Sequence, residues 1–245
     1  MSRTIDPDVL AKYSGDTPSR NNPYNSWDID CIHATNKIHC VPETAAYLYG
    51  GYTPRKITYR TGARPELEFH LEVALKNCRA RKDRAPILTS YVNRVVLHTM
   101  YVPKHLHELG GTEEHVLRRG FGYCNEMARV LCAMAQIAGI PTRLLFVRLP
   151  SGSRHVMVEM LTGDKWGFFD PSFNLYLPVG KAYAGALDVQ KSKRHRDRLD
   201  KLASVNEKYL HTLGRRGALY SGYFHRFAVL NYPLTDFPYG VTRPR

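Results

Sequence analysis

The sequence predicts an α+β protein, with helices followed by an antiparallel sheet, on three observations. Residues 124–138 form a run in which Met127, Leu131, Met134, Ala135 and Ala138 recur at helical spacing. Residues 143–149, 155–161 and 166–169 have strand composition and are separated by turn residues. Upstream, residues 65–82 and 85–101 carry apolar side chains at helical spacing.

From the N-terminus, residues 1–15 are polar and lack the apolar core of a secretory signal. Residues 14–28 read as loop. Cys31, His33, His39 and Cys40 are zinc-ligand types, but Cys-x-His and an adjacent His-Cys pair do not match the usual two- to four-residue ligand loops, so no metal is expected. The first helical run is carried by Leu67, Leu71, Ala74, Leu75 and Cys78. The second is carried by Leu88, Val92, Val95 or Val96 and Thr99, and Pro103 stops it. His98, His105 and His107 lie in a loop-flanking segment and are expected on the surface.

Cys124 opens the third helix, after Gly120 and Gly122, and Gly139-Ile140-Pro141 closes it. The glycines let the backbone turn tightly and leave room for a substrate beside the sulfur. A thiol in the first helical turn is acidified by the positive end of the helix dipole, which favours the nucleophilic thiolate. Cysteine is more commonly an inert buried residue. The position at a helix start behind two glycines argues for a nucleophile here.

The pattern then changes period. Leu144, Leu145, Phe146 and Val147 make a strand, and Pro150-Ser151-Gly152-Ser153 a turn. In the next strand His155, Met157 and Glu159 point one way and Val156, Val158 and Met160 the other. Thr162-Gly163-Asp164-Lys165 turns into Trp166-Gly167-Phe168-Phe169, which Asp170-Pro171 ends. A short hairpin sets the start of one strand beside the end of the next, so His155 and Asp170 should meet at one edge of the sheet. An imidazole that handles the thiol proton, with a carboxylate fixing its tautomer, is what a cysteine nucleophile requires.

These residues resemble the transglutaminase-like superfamily: Gly122-Tyr123-Cys124 opening a helix, Gly139-Ile140-Pro141-Thr142-Arg143 leaving it, His155 with Glu159 on a strand, then Trp166 and Asp170-Pro171. The resemblance spans about residues 115–175. It implies a transglutaminase-like, papain-like α+β fold in which N-terminal helices and a buried nucleophile helix pack on an antiparallel sheet. It also implies Cys124 as nucleophile, His155 as general acid and base, and Asp170 as the orienting carboxylate. One departure is Met157, where the family often has an aromatic residue. Acyl transfer also needs a second oxyanion donor besides the Cys124 N–H. Asn93 and Tyr91 are candidates, with Tyr123 beside the nucleophile as a substrate contact. A solvated helix face is the alternative reading of each.

At 245 residues and 43% apolar content, the chain is expected to form a single domain with its core at about residues 85–180. The longest nearly apolar run, 130–140, is too short to span a bilayer, so a cytoplasmic protein without a membrane partner is expected. Five cysteines without a signal argue for free thiols. The net charge of +13 is concentrated late: Lys191, Lys193, Arg194, Arg196 and Arg198 open an amphipathic helix with Leu199, Leu202, Val205 or Asn206, Tyr209 and Leu213 on its apolar side. Such a face is commonly just solvated; the functional alternative is an acidic partner such as an acyl carrier protein or anionic polymer. No nucleic-acid motif accompanies the charge, and nucleic acid is not expected. The aromatic stretch 220–239 is expected to wrap back on the core. Two readings of function stand. One is cofactor-independent acyl transfer through an acyl-Cys124 intermediate formed from a peptide, amide or thioester and released to water or to an amine. The other is a noncatalytic binding or scaffold protein on the same fold.

Overall fold

The computed structural model describes residues 59–107, 111–148, 154–206, 208 and 219–231. Helix α1, Pro65–Leu75, begins on the proline that suits a first turn and carries Glu66 and Glu68 at its positive end. It is shorter than its periodicity predicts: the Cys78 N–H closes a turn on the Leu75 carbonyl, and a short 3-10 turn at Arg81–Asp83 leads into α2, Arg84–Val95. Helix α2 also ends early. Val96 is extended, and β1, Leu97–His98, pairs in parallel with β2, Phe121–Gly122. Sheet pairing, with the Leu97 N–H donating to the Gly120 carbonyl at 2.8 Å, overrides the helical period in a β-branched segment.

Helix α3, Glu113–Arg119, is capped by the Thr112 hydroxyl, which accepts from the His115 N–H. It ends on Gly120 at φ 72°, a left-handed conformation that only glycine adopts freely. Helix α4 runs Cys124–Ile137 and is buried from Asn125 to Gln136, far more than one apolar stripe would require. Helices α1, α2 and α3 cover it on one side. On the other lies one face of a five-stranded sheet of order β6-β5-β4-β3-β9.

That sheet consists of β3 (Thr142–Arg148), β4 (Arg154–Thr162), β5 (Lys165–Asp170), β6 (Leu175–Tyr176) and β9 (Arg226–Asn231), all antiparallel. A separate ribbon pairs β7, Pro178–Val179, with β8, Ala182–Tyr183. Alternation along the strands builds two cores. Leu144, Phe146, Val156, Val158, Met160 and Phe169 join Met127, Leu131 and Met134 of α4. On the opposite face Leu145, Val147, Met157 and Phe168 meet Leu199, Tyr220, Tyr223 and Phe224. The fold is α+β, as the sequence predicts.

The late basic segment is two helices, not one. Ser192 is extended between α5 (Ala186–Lys191) and α6 (Lys193–Ala203), and its hydroxyl accepts the His195 N–H. The predicted apolar stripe is correspondingly cut short: Leu199 is buried, Leu202 is 39% and Val205 76% exposed, and α6 stops at Ala203. Tyr209 and Leu213 lie outside the described residues. Arg196 and Arg198 donate to the carbonyls of Gln190 and Pro178, so part of the basic face ties backbone down. After it, a 3-10 segment at Tyr220–His225 and β9 return the chain to the core and to the free edge of β3. No helix among the described residues is long and apolar enough to cross a membrane.

A buried ionic cluster ties the first helices to α4. Glu113 accepts from Arg64 at 2.7 Å and from Arg129 of α4 at 3.0 Å, with all three side chains at most 3% exposed. Removing the shared carboxylate would take an ion-pair partner from two buried cations, leaving Arg64 its pair with Glu114 and Arg129 the Gly111 carbonyl, whereas the Arg118–Glu66 pair is largely in solvent. In denaturant unfolding, Glu113→Ala is expected to cost about 3–5 kcal/mol. Arg118→Ala is expected to cost about 1 kcal/mol or less.

Candidate active site

Helix α4 and strand β3 are matched in length: 14 residues at about 1.5 Å each and 7 residues at about 3.3 Å each both give roughly 20 Å. The chain descends through α4, turns at Gly139, and climbs back through β3 to the level of Cys124. His155 pairs with Val147 there, and Phe169 pairs with Val158, which places Asp170 next to Met157 and within reach of His155. Strand register therefore brings a strand start and a strand end together, and the matched lengths of α4 and β3 bring the helix tip to the same level.

His155 Nε2 lies 2.7 Å from Asp170 Oδ2, with the ring 5% exposed and Asp170 wholly buried. The other carboxylate oxygen accepts the Ser172 N–H at 2.8 Å. The Tyr220 hydroxyl donates to Oδ2 at 2.6 Å. Phe173 and Tyr223 flank the imidazole at centroid distances of 5.4 and 5.3 Å, which fixes its plane. With Nε2 on Asp170, Nδ1 is left for the hydrogen bond that His155 makes to Cys124. Cys124 as a residue is half-buried.

Electrostatics favour charge separation. Burial works against the Cys124 thiolate, but hydrogen bonds from His155 and His98 outweigh it and bring its pKa from 9.0 down to about 6. Burial likewise opposes the His155 imidazolium, yet Asp170, reinforced by Cys124, pushes that pKa up to about 10. A thiolate–imidazolium pair follows at neutral pH.

The residues considered for an oxyanion site lie elsewhere or do other things. Both amide hydrogens of Asn93 are committed to the carbonyls of Pro171 and Ser172, and Lys208 donates to its side-chain oxygen, so Asn93 clamps the loop behind Asp170. The Tyr91 hydroxyl is 2.7 Å from His70 Nδ1. Tyr123 precedes the nucleophile and packs edge-on between His98 and His107. His105 is exposed, as expected. His107 is partly buried, with Nε2 on the Thr99 and Val102 carbonyls, and His98 reaches the sulfur, so neither is the surface histidine its sequence context suggests. Glu159 serves the fold, holding Arg143 at 2.6 Å and the Ala186 N–H at 2.9 Å. Gly122 sits in a tight space: a Cβ there would lie 3.1 Å from Glu126 Cβ and 3.2 Å from its carboxylate, so the Glu126 side chain would have to shift. Tyr220 and His98 are what sequence reasoning misses, and no local pattern marks either. Among the described residues no group of three or more His, Cys, Asp or Glu side chains is placed to hold a metal ion; Cys31, His33, His39 and Cys40 lie outside them.

Cys132 is fully buried on α4, where burial holds its thiol well above the usual range. Alkylation of Cys124 by iodoacetamide is therefore expected to follow a single thiolate titration with its midpoint at a pH of about 6, lost as pH falls below it. Cys132 should stay unlabelled in the folded protein. A midpoint in the ordinary thiol range for Cys124, read peptide by peptide in a mass spectrometer, would contradict the ion pair.

Residues 72–171 match the family model described as Transglutaminase-like superfamily, a span that contains Cys124, His155 and Asp170. No curated protein sequence matches the chain. Among solved structures, a proposed cysteine protease from Cytophaga hutchinsonii is 16% identical over 46% of this chain and 43% of its own, with a TM-score of 0.36. A TGase is 13% identical over 54% and 36%, with a TM-score of 0.39. A proposed protease from Parabacteroides distasonis is 15% identical over 46% and 27%, with a TM-score of 0.32. The chain thus spans less than half the length of each. By the family-model match, the helix-then-sheet core that carries Cys124, His155 and Asp170 is a transglutaminase-like one.

Proposed function

We propose that the chain is a cysteine-dependent acyltransferase or hydrolase that works through an acyl-enzyme on Cys124. The observation that supports this reading is the continuous line from the Cys124 sulfur through His155 to the buried Asp170. In the first half-reaction the thiolate attacks the carbonyl carbon of an amide or thioester. A carbon–sulfur bond forms, and the carbonyl π-pair moves onto oxygen. Collapse expels the amine or thiol, which takes the proton from His155. In the second half-reaction His155 accepts a proton from water or an incoming amine, which attacks the thioester and restores Cys124. Asp170 keeps the tautomer right and offsets the imidazolium charge.

The pair is complete above the thiolate pKa of about 6 and below the imidazolium pKa of about 10. The expected pH profile of kcat/KM is a bell between those limits. A simple thioester, S-acetyl-N-acetylcysteamine, tests the chemistry: mass spectrometry should find an acetyl group on Cys124 and on no other cysteine, and an added primary amine should capture it if aminolysis competes with hydrolysis. Cys124→Ala should abolish turnover while changing stability by no more than about 1–2 kcal/mol, because a small side chain at a helix start packs little. Asp170→Asn should cost up to about ten-thousand-fold, the loss seen when a serine triad is given the wrong tautomer. A folded protein whose Cys124 is neither acylated nor alkylated faster than Cys78 would favour the scaffold reading instead.

A further inference from the structure

His98 caps the 3-10 turn at Thr99–Tyr101 with one ring nitrogen, which leaves the other unexplained by the fold. Strand β1 is only two residues long, and its parallel pairing with β2 sets His98 opposite Gly122, two residues before the nucleophile. Its Nδ1 accepts the Met100 N–H at 3.2 Å, so in the neutral ring the proton is on Nε2. Tyr123 braces the ring edge-on at 6.2 Å. So oriented, the side chain hydrogen-bonds the Cys124 sulfur. It comes from the two-stranded ribbon, while His155 comes from the five-stranded sheet.

An acyl carbon joined to that sulfur carries its oxygen one bond away, within reach of a donor that already touches sulfur. The tetrahedral intermediate needs two such donors. One is the Cys124 N–H, which as the first residue of α4 has no carbonyl one turn back to bond. The amide of Asn93 is spent on two carbonyls and the Tyr91 hydroxyl is turned to His70. We infer that His98 is a catalytic residue of the proposed acyl transfer at Cys124, on which this inference rests, and that its Nε2–H completes the oxyanion site. It transfers no proton: it donates a hydrogen bond to the carbonyl oxygen as the carbon–sulfur bond forms, and keeps its hydrogen when the leaving group departs.

Two reagents separate this role from support of the thiolate. Iodoacetamide alkylates sulfur by displacing iodide and develops no oxyanion, whereas p-nitrophenyl acetate acylates sulfur through a tetrahedral oxyanion and releases p-nitrophenolate. Both are measured on Cys124 in the whole chain, at the plateau of each variant's pH profile so that the thiolate is fully formed. His98→Ala is expected to lower the acylation rate about 100- to 1,000-fold while the alkylation rate stays within about threefold, and alkylation itself reports an intact site. His98→Gln, which keeps an N–H donor, should recover most of the acylation rate. Equal loss with both reagents, or no loss with p-nitrophenyl acetate, overturns the oxyanion role. If Cys124 of the unaltered protein reacts with neither reagent faster than Cys78, acyl transfer itself falls and the inference with it.

Discussion

A carboxylate with no access to water has to be compensated, and Asp170 is such a group. Leaving one ionised in an apolar interior costs far more than a domain's net stability, so its surroundings must supply donors. His155, Tyr220 and the Ser172 N–H do so, from β4, from the segment after α6, and from the turn after β5. Much of the architecture around the sheet edge follows from that demand. Asn93 and Lys208 hold the 171–172 backbone in place, and Phe173 and Tyr223 wall in the imidazole. What makes the carboxylate tolerable also makes the imidazole basic, and the thiol acidic in turn.

The opposite wall depends on a different compensation. Helix α4 is buried almost all round, so it cannot be positioned by a single apolar stripe, which would permit sliding or rotation. The bonds that Arg129 and Arg64 both donate to Glu113 give α4 one angular setting against α3 and the start of α1. At the helix tip, Glu126 accepts the Tyr123 N–H and pairs with Arg119, closing the turn that presents Cys124. Buried ion pairs of this kind contribute little net stability against an apolar alternative. Their effect here is on placement.

Cys124, His155 and Asp170 were legible in the sequence because each is specified locally. A helix start behind glycines, a strand start after a turn and a strand end before proline are short-range signals, and one hairpin converts them into proximity. Boundaries were less legible where pairing across the chain decided them. Helix α2 loses its last turn because Leu97 finds Gly120, and the late basic run breaks at Ser192, whose hydroxyl satisfies a backbone donor better as a cap than inside a helix. Tyr220 and His98 were illegible for the same reason at longer range. Their hydrogen bonds join residues 50 and 26 positions apart in the chain, and nothing near either one in sequence announces a partner.

Tyr220 has a consequence for how the protein comes into being. On the ribosome the helix tip and both strands that bear the sulfur, imidazole and carboxylate are synthesised first, and the hydroxyl that closes on the carboxylate follows fifty residues later. Strand β9, which seals the edge of β3, comes later still. Pairings of such long sequence separation form slowly because loop closure must precede them. A nascent chain therefore carries all three polar groups of the site well before the interior that charges them exists, and the thiol stays an ordinary, weakly reactive one until Tyr220 and β9 have been made and have docked.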